Sequence, residues 1–228
     1  MAVGPIVASM PEASIDDTTS SFDGLHTAPM ESPGKPAMLS HVAYMTRDTA
    51  ATADFYTRIL GMELVNAVLD DSIPSTGEPI PYFHSFFRMA DGSTVAFFEA
   101  PELPPLAPLP HPAYDTFQHL AMEVDSPATV DIWHEWLGEN GVEVLGPVDH
   151  KIIYSIYFHD PNGLRLEITA PTSSTWNDNA DAARASLDEW NAVKARVAER
   201  GDDMVTALHQ LAAERSHQKS DSVPERRE

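Results

Sequence analysis

The chain has no cysteine. That excludes disulfides, cysteine–zinc sites and thiol nucleophiles, and leaves His, Asp and Glu as the only candidate metal ligands. Basic residues are scarce: 14 Lys and Arg stand against 35 Asp and Glu, a formal net charge of −21. A surface this acidic repels nucleic-acid phosphates and anionic lipid, so neither nucleic acid nor a membrane surface is an expected partner. No apolar run approaches a membrane span, and Met1 to Met10 lacks the basic start and apolar core of a signal peptide. A cytoplasmic protein is the expectation. What is present is sufficient apolar content, 43% over 228 residues, for a sizeable core.

Residues 1–36 are rich in Ser, Thr, Asp, Pro and Gly and read as a flexible arm. From Ala37 the texture is regular. Met38–Met45 reads as a strand, and Asp48 caps a helix over Thr49–Leu60 that Gly61 ends. Met62–Leu69, Tyr82–Met89 and Ser93–Ala100 read as three more strands, with a loop over 70–81 and a turn at Asp91-Gly92. A Pro-rich connector over 101–114 reads as a stiff spacer. The order then repeats: strand Phe117–Val124, a helix from Ser126 to Glu139 stopped by Gly141, strand Val142–Leu145, and a final hairpin.

The repeat is visible in residues. His41-Val42-Ala43 matches His119-Leu120-Ala121, and Ala51-Thr52-Ala53-Asp54-Phe55-Tyr56 matches Ala128-Thr129-Val130-Asp131-Ile132-Trp133. Leu60-Gly61 matches Leu137-Gly138. Two copies of β-α-β-β-β, modules 37–100 and 115–172, form one α+β domain over 37–172. Residues 173–228 read as one or two amphipathic helices, with a solvated, disordered tail from about Ser216.

The final hairpin carries the chemistry. Asp160-Pro161-Asn162-Gly163 is turn sequence. Before it, Ile153, Ser155, Tyr157 and His159 share a face; after it, Arg165 and Glu167 do. A carboxylate inside such an apolar strand is costly unless paired or bound to metal. The repeat offers partners: His41 and His119, mid-strand at matching positions, and Glu99 near the end of the first module's last strand. Salt bridges from Arg88 or Arg165 are the competing explanation for the two glutamates.

These residues carry a resemblance. The paired modules, Phe55-Tyr56-Thr57-Arg58-Ile59-Leu60-Gly61-Met62 and the ending Asp160-Pro161-Asn162-Gly163-Leu164-Arg165-Leu166-Glu167 resemble the vicinal oxygen chelate superfamily of glyoxalases, fosfomycin- and bleomycin-resistance proteins and extradiol ring-cleaving dioxygenases. The longer pattern, Val148-x-His150 through Ile156-Tyr157 to Glu167, is similar to the extradiol dioxygenase signature. That likeness implies Fe(II) held by His41, His119 and Glu167, with His150 and Tyr157 acting on an aromatic small-molecule substrate such as a catechol. It also implies a homodimer, since this superfamily often pairs modules between chains.

Two features depart from the dioxygenase pattern. The segment Asp91-Gly92-Ser93-Thr94-Val95 lacks the His that ring-cleaving members carry there, with His84 on the adjacent strand a possible substitute. Glu99 resembles the first-module ligand of glyoxalase I. A His-Glu-His-Glu site holding Zn, Ni, Co or Mn and doing lyase or isomerase chemistry is therefore the alternative. A drug-binding resistance protein is the third reading. Glu99 follows its turn glycine by seven residues and Glu167 follows its own by four, so their registers need not match.

Overall fold

The computed structural model describes Ser32 and residues 34–221, with side chains to residue 215. The predicted arm up to residue 36 lies almost wholly outside the described residues. The chain divides into a unit Met1–Met38 and a unit Leu39–Glu228. The strands and helices of the described residues all belong to the second unit.

Two four-stranded sheets make up its body. The first contains β1 (His41–Thr46), β2 (Glu63–Asp70), β3 (Tyr82–Arg88) and β4 (Thr94–Glu99) in the order β1-β4-β3-β2. The second contains β5 (Leu120–Glu123), β6 (Leu145–Asp149), β7 (Ile153–His159) and β8 (Arg165–Pro171) in the order β5-β8-β7-β6. In each, the first strand runs parallel to the last and the remaining pairs are antiparallel. These are the paired βαβββ modules that the repeat predicts.

The helix of each module starts at a side-chain cap. Asp48 Oδ1 accepts from Ala51 N at 2.9 Å ahead of α1 (Thr49–Asp54), and Ser126 Oγ accepts from Thr129 N ahead of α3 (Pro127–Glu139). α1 continues as one π-helical turn, Phe55–Ile59, with Leu60 N bonded to Phe55 O. Gly61 and Gly141, at φ +68° and +76°, reverse the chain beyond the two helices. Gly141, rather than Gly138, is therefore the second module's structural counterpart of Gly61.

One core joins the modules. Tyr56 stacks on Phe87 and packs at a tilt against Phe97 (centroids 5.3 and 4.9 Å), and Phe55 meets Phe158 of the second module. Each such ring contributes about 1.5–3 kcal/mol on full burial. The turn Asp160–Gly163 provides a polar clamp. Tyr56 Oη donates to Asp160 Oδ2 at 3.2 Å and Thr46 Oγ1 donates to Asn162 Oδ1 at 2.8 Å. Asp160 Oδ1 accepts from Asn162 N and Leu164 N, closing the turn. Burial, reinforced by the Asp160 charge, pushes the Tyr56 phenol well above its ordinary range, so it stays a donor.

Several boundaries differ from the sequence expectation. His41 opens β1 and His119 immediately precedes β5, so neither is mid-strand. A one-turn helix, α2 (Ala113–Phe117), ends the connector where a strand was expected to begin. β6 starts at Leu145, where the expected strand Val142–Leu145 ends, and continues through Gly146-Pro147 to Asp149. Proline is tolerated because β6 is an edge strand with a register shift there. A second turn, with Lys151 at φ +70°, separates β6 from β7. The helices beyond the sheets are α4 (Ala180–Arg200) and α5 (Met204–Asp221), separated by Gly201 at φ +71° and joined by an Arg215–Glu189 ion pair. Helix thus extends past Ser216, where a disordered tail was expected. Among the described residues, no helix is long and apolar enough to cross a membrane.

Candidate metal centre

Strand register decides which side chains can meet. In the first sheet Ala43 lies beside Ala96, which lies beside Phe86. In the second Ala121 lies beside Glu167, which lies beside Tyr157. Because His41-Val42-Ala43 is equivalent to His119-Leu120-Ala121, Ala96 and Phe86 are the first-module counterparts of Glu167 and Tyr157. The modules share a frame but differ in chemistry, the first offering one histidine and the second a histidine with a buried carboxylate.

Glu99 is not in that frame. It shares a face with the fully buried Val95 and Phe97, whereas His41 faces the other way with Ala43 and Met45. Glu99 Oε2 accepts from Thr49 N at 2.8 Å and from the Thr49 hydroxyl, capping the first turn of α1. The structure therefore assigns this carboxylate to a helix N-terminus and does not bring it to His41. Glu99→Gln is expected to cost about 1 kcal/mol of stability, as lost caps do, and to leave metal content unchanged. Urea melts and metal analysis of the variant check both, and metal loss would return Glu99 to the ligand set.

Around Glu167 the geometry is close. Its side chain is 2% exposed; Oε2 lies 2.8 Å from His119 Nε2, and Oε1 has no hydrogen-bond partner. His119 Nδ1 lies 3.2 Å from Thr116 O. Both ring nitrogens thus face acceptors, and a neutral imidazole has only one N–H. With Nδ1 donating to Thr116 O, the Nε2 lone pair points at a carboxylate oxygen, and only a proton or a metal ion between them relieves the repulsion. A buried, open oxygen and an inward-facing imidazole nitrogen 2.8 Å from the carboxylate suit two adjacent ligands of one divalent ion. His119 and Glu167 therefore fit a metal.

Tyr157 and His150 border this pair. Tyr157 Oη and His150 Nε2 are 2.9 Å apart, and the Tyr157 ring meets the His119 ring edge-on at 5.7 Å. The Arg165 guanidinium lies 4.6 Å above the Tyr157 ring. Burial, and then the Glu167 charge, raises the Tyr157 phenol above its ordinary value. Neither anticipated salt bridge forms: Arg88 pairs with Glu63 at 2.5 Å, and Arg165 packs on Tyr157.

His41 stands apart. Its ring contacts Phe86 and His84 at 5.7 and 6.4 Å. Among the described residues, no three His, Asp or Glu side chains of one chain converge as a metal site. His84 stacks on Phe98 at 3.5 Å, and its Nε2 is buried without a partner. Burial, and then His41, lowers its pKa from the ordinary 6.5. The folded chain therefore disfavours the protonated ring that the unfolded chain accepts. Stability is lost as pH falls through the unfolded value of 6.5, and the loss levels off below the lowered folded value. Melting temperature is expected to drop less between pH 7 and 5 in His84→Phe than in the wild type. Parallel pH profiles for the two proteins would refute this.

Sequence reading missed Asp115 and Thr116, which meet the site from α2. The only signal was an acidic residue four positions before a candidate ligand histidine, at the start of the second module, where no element was expected before Phe117.

Fold and site together define a class: paired βαβββ modules with a histidine at matching positions in each and a buried glutamate beside the second. A family model described as the glyoxalase/bleomycin resistance protein/dioxygenase superfamily matches residues 38–168, and the chain belongs to that superfamily. It is 26% identical over 135 residues to a protein of Bacillus subtilis (strain 168) described as the putative ring-cleaving dioxygenase MhqA. The match covers 58% of this chain and 40% of that relative, so the chain aligns with less than half of the relative's length. A glyoxalase/dioxygenase structure from Nostoc punctiforme is 29% identical (TM-score 0.47, 63% of this chain and 97% of that one). A glyoxylase/bleomycin resistance protein/dioxygenase domain from Frankia sp. EAN1pec shares the fold at 19% identity (TM-score 0.50, 61% and 96%).

Proposed function

We propose that the protein is an Fe(II)-dependent extradiol-type dioxygenase acting on a catechol-like aromatic small molecule. The observation that carries the reading is the buried Glu167 beside His119, with one carboxylate oxygen open and the Tyr157–His150 pair at its edge. The B. subtilis relative's description supports the same class of reaction. We assign His119 and Glu167 as two ligands and His41 as the third. Because His41 does not reach the other two within one chain, the site is completed by His41 of a second copy in a homodimer. β1 and β5, next to which these histidines lie, are the unpaired edges of their sheets and are available to that contact.

Held by His119, Glu167 and a second copy's His41, Fe(II) would supply acidification of a catechol hydroxyl and a meeting point for the ring and O2. The side chains perform the remaining tasks. Tyr157, held protonated by burial and by Glu167, presents a hydroxyl to a substrate oxygen. His150 Nε2, hydrogen-bonded to that hydroxyl and exposed to solvent, takes up or returns a proton. Arg165 holds the tyrosine ring from its other side.

The lyase or isomerase alternative needs a fourth ligand, and the position of Glu99 at the start of α1 does not favour it. Purification without oxygen, metal analysis and oxygen uptake over a catechol panel test the proposal. Iron and substrate-dependent oxygen uptake are expected. No uptake across a broad panel with iron loaded would refute dioxygenase chemistry, and a preference for Zn, Ni, Co or Mn would favour the alternative.

A further inference from the structure

The end of the inter-module connector forms part of the metal site. His119 Nδ1 faces Thr116 O at 3.2 Å, so the last turn of α2 sets the orientation of the imidazole. α2 is itself tied down at Asp115. His159 Nε2 meets both Asp115 oxygens at 3.1 and 3.2 Å, and Arg165 Nη1 lies 3.9 Å from Oδ2. His159 and Arg165 are register partners across β7 and β8. Two residues further along each strand, on the same face, stand Tyr157 and Glu167, themselves register partners. The contacts close a ring: Glu167 to His119, His119 to α2, α2 through Asp115 to β7 and β8, and β8 back to Glu167.

We infer that Asp115 is a positioning residue for the metal site, acting through α2 to hold Nδ1 on Thr116 O and aim Nε2 at Glu167. This rests on the metal reading proposed above. A carbonyl on the far nitrogen fixes tautomer and ring orientation, and loss of such outer partners commonly lowers metal affinity about 10–100-fold. Asp115 and His159 are 39% and 47% exposed, and pairs exposed to that degree contribute little to stability. The two roles therefore separate. A positioning role appears in metal affinity with the melting temperature unmoved, and a structural role moves the melting temperature.

The test is Co(II) titration of the full chain as wild type, Asp115→Asn and His159→Ala, with thermal melts. Imidazole 15N NMR of His119 in the metal-free proteins accompanies them. Both variants are expected to bind Co(II) about 10–100-fold more weakly at unchanged melting temperature, with altered His119 nitrogen shifts. Wild-type affinity and wild-type His119 shifts in both variants would overturn the inference, as would weaker binding matched by a fall in melting temperature. If the wild type itself binds no Co(II), the metal reading fails separately. The NMR comparison then decides: altered His119 shifts in the variants support Asp115 positioning of the ring, and unchanged shifts overturn it.

Discussion

Glu167→Gln is expected to weaken divalent-metal binding on the order of a thousandfold, about 4 kcal/mol, while leaving the metal-free protein as stable as the wild type or more so. Two separate arguments give the opposite signs. For binding, the substitution exchanges an anionic ligand for a neutral amide of the same shape, in a setting where Oε1 has no other partner. For folding, the carboxylate is 2% exposed and its one ion-pair partner among the described residues is His119. Burying a charge carries a desolvation cost that a single partner offsets poorly, so isosteric neutral replacement of buried ionic groups is often neutral or stabilising. Removing one member of a buried pair is costly when it strands a buried charge. Here the member removed is the buried one, and the His119 side chain left behind is 28% exposed. Chelator-competition titrations and melts with and without metal measure both effects. Unchanged affinity would remove Glu167 from the ligand set. A large fall in metal-free melting temperature would make it a structural carboxylate.

Mixing two inactive variants is expected to restore activity. If each centre takes His41 from one chain and His119 with Glu167 from the other, His41→Ala and His119→Ala each disable every site in their own homodimers. A mixed dimer behaves differently: one of its sites collects both substitutions, and the other collects none. Random reassociation makes about half the dimers mixed, each with one of two sites intact, so about a quarter of wild-type activity returns in a C2 assembly. Metal content recovers in the same proportion. The expectation rests on the separation of His41 from His119 and Glu167 within one chain and on β1 and β5 being edge strands of their sheets. No recovery after unfolding and refolding the mixed chains, with wild type recovering in parallel, would place all three ligands in one chain.

Fold and site were legible to different degrees. The repeated His-x-Ala strands and capped helices are local and periodic signals, and both modules follow from them. Glu167 could be singled out because a carboxylate amid Leu164, Leu166 and Ile168 needs an explanation at the level of sequence. Tyr157 and His150 could be paired through the resemblance to the extradiol dioxygenase signature, and the hydrogen bond between them depends on a turn at Lys151 that the pattern did not reveal. Connector residues were the least legible. Asp115 and Thr116 matter through contacts with β7, β8 and His119, and nothing in their immediate neighbours marks them.

The sequence by itself determined the module architecture, the candidate ligand types and the position of the carboxylate, because periodicity, capping and the cost of a buried charge act locally along the chain. Tertiary structure alone decided where the two glutamates lie and what each one meets. Sheet register places Ala96, not Glu99, opposite Ala43, and a shift of three residues along a strand moves a side chain to the opposite face. The same carboxylate chemistry therefore caps α1 at Glu99 and lies open beside His119 at Glu167.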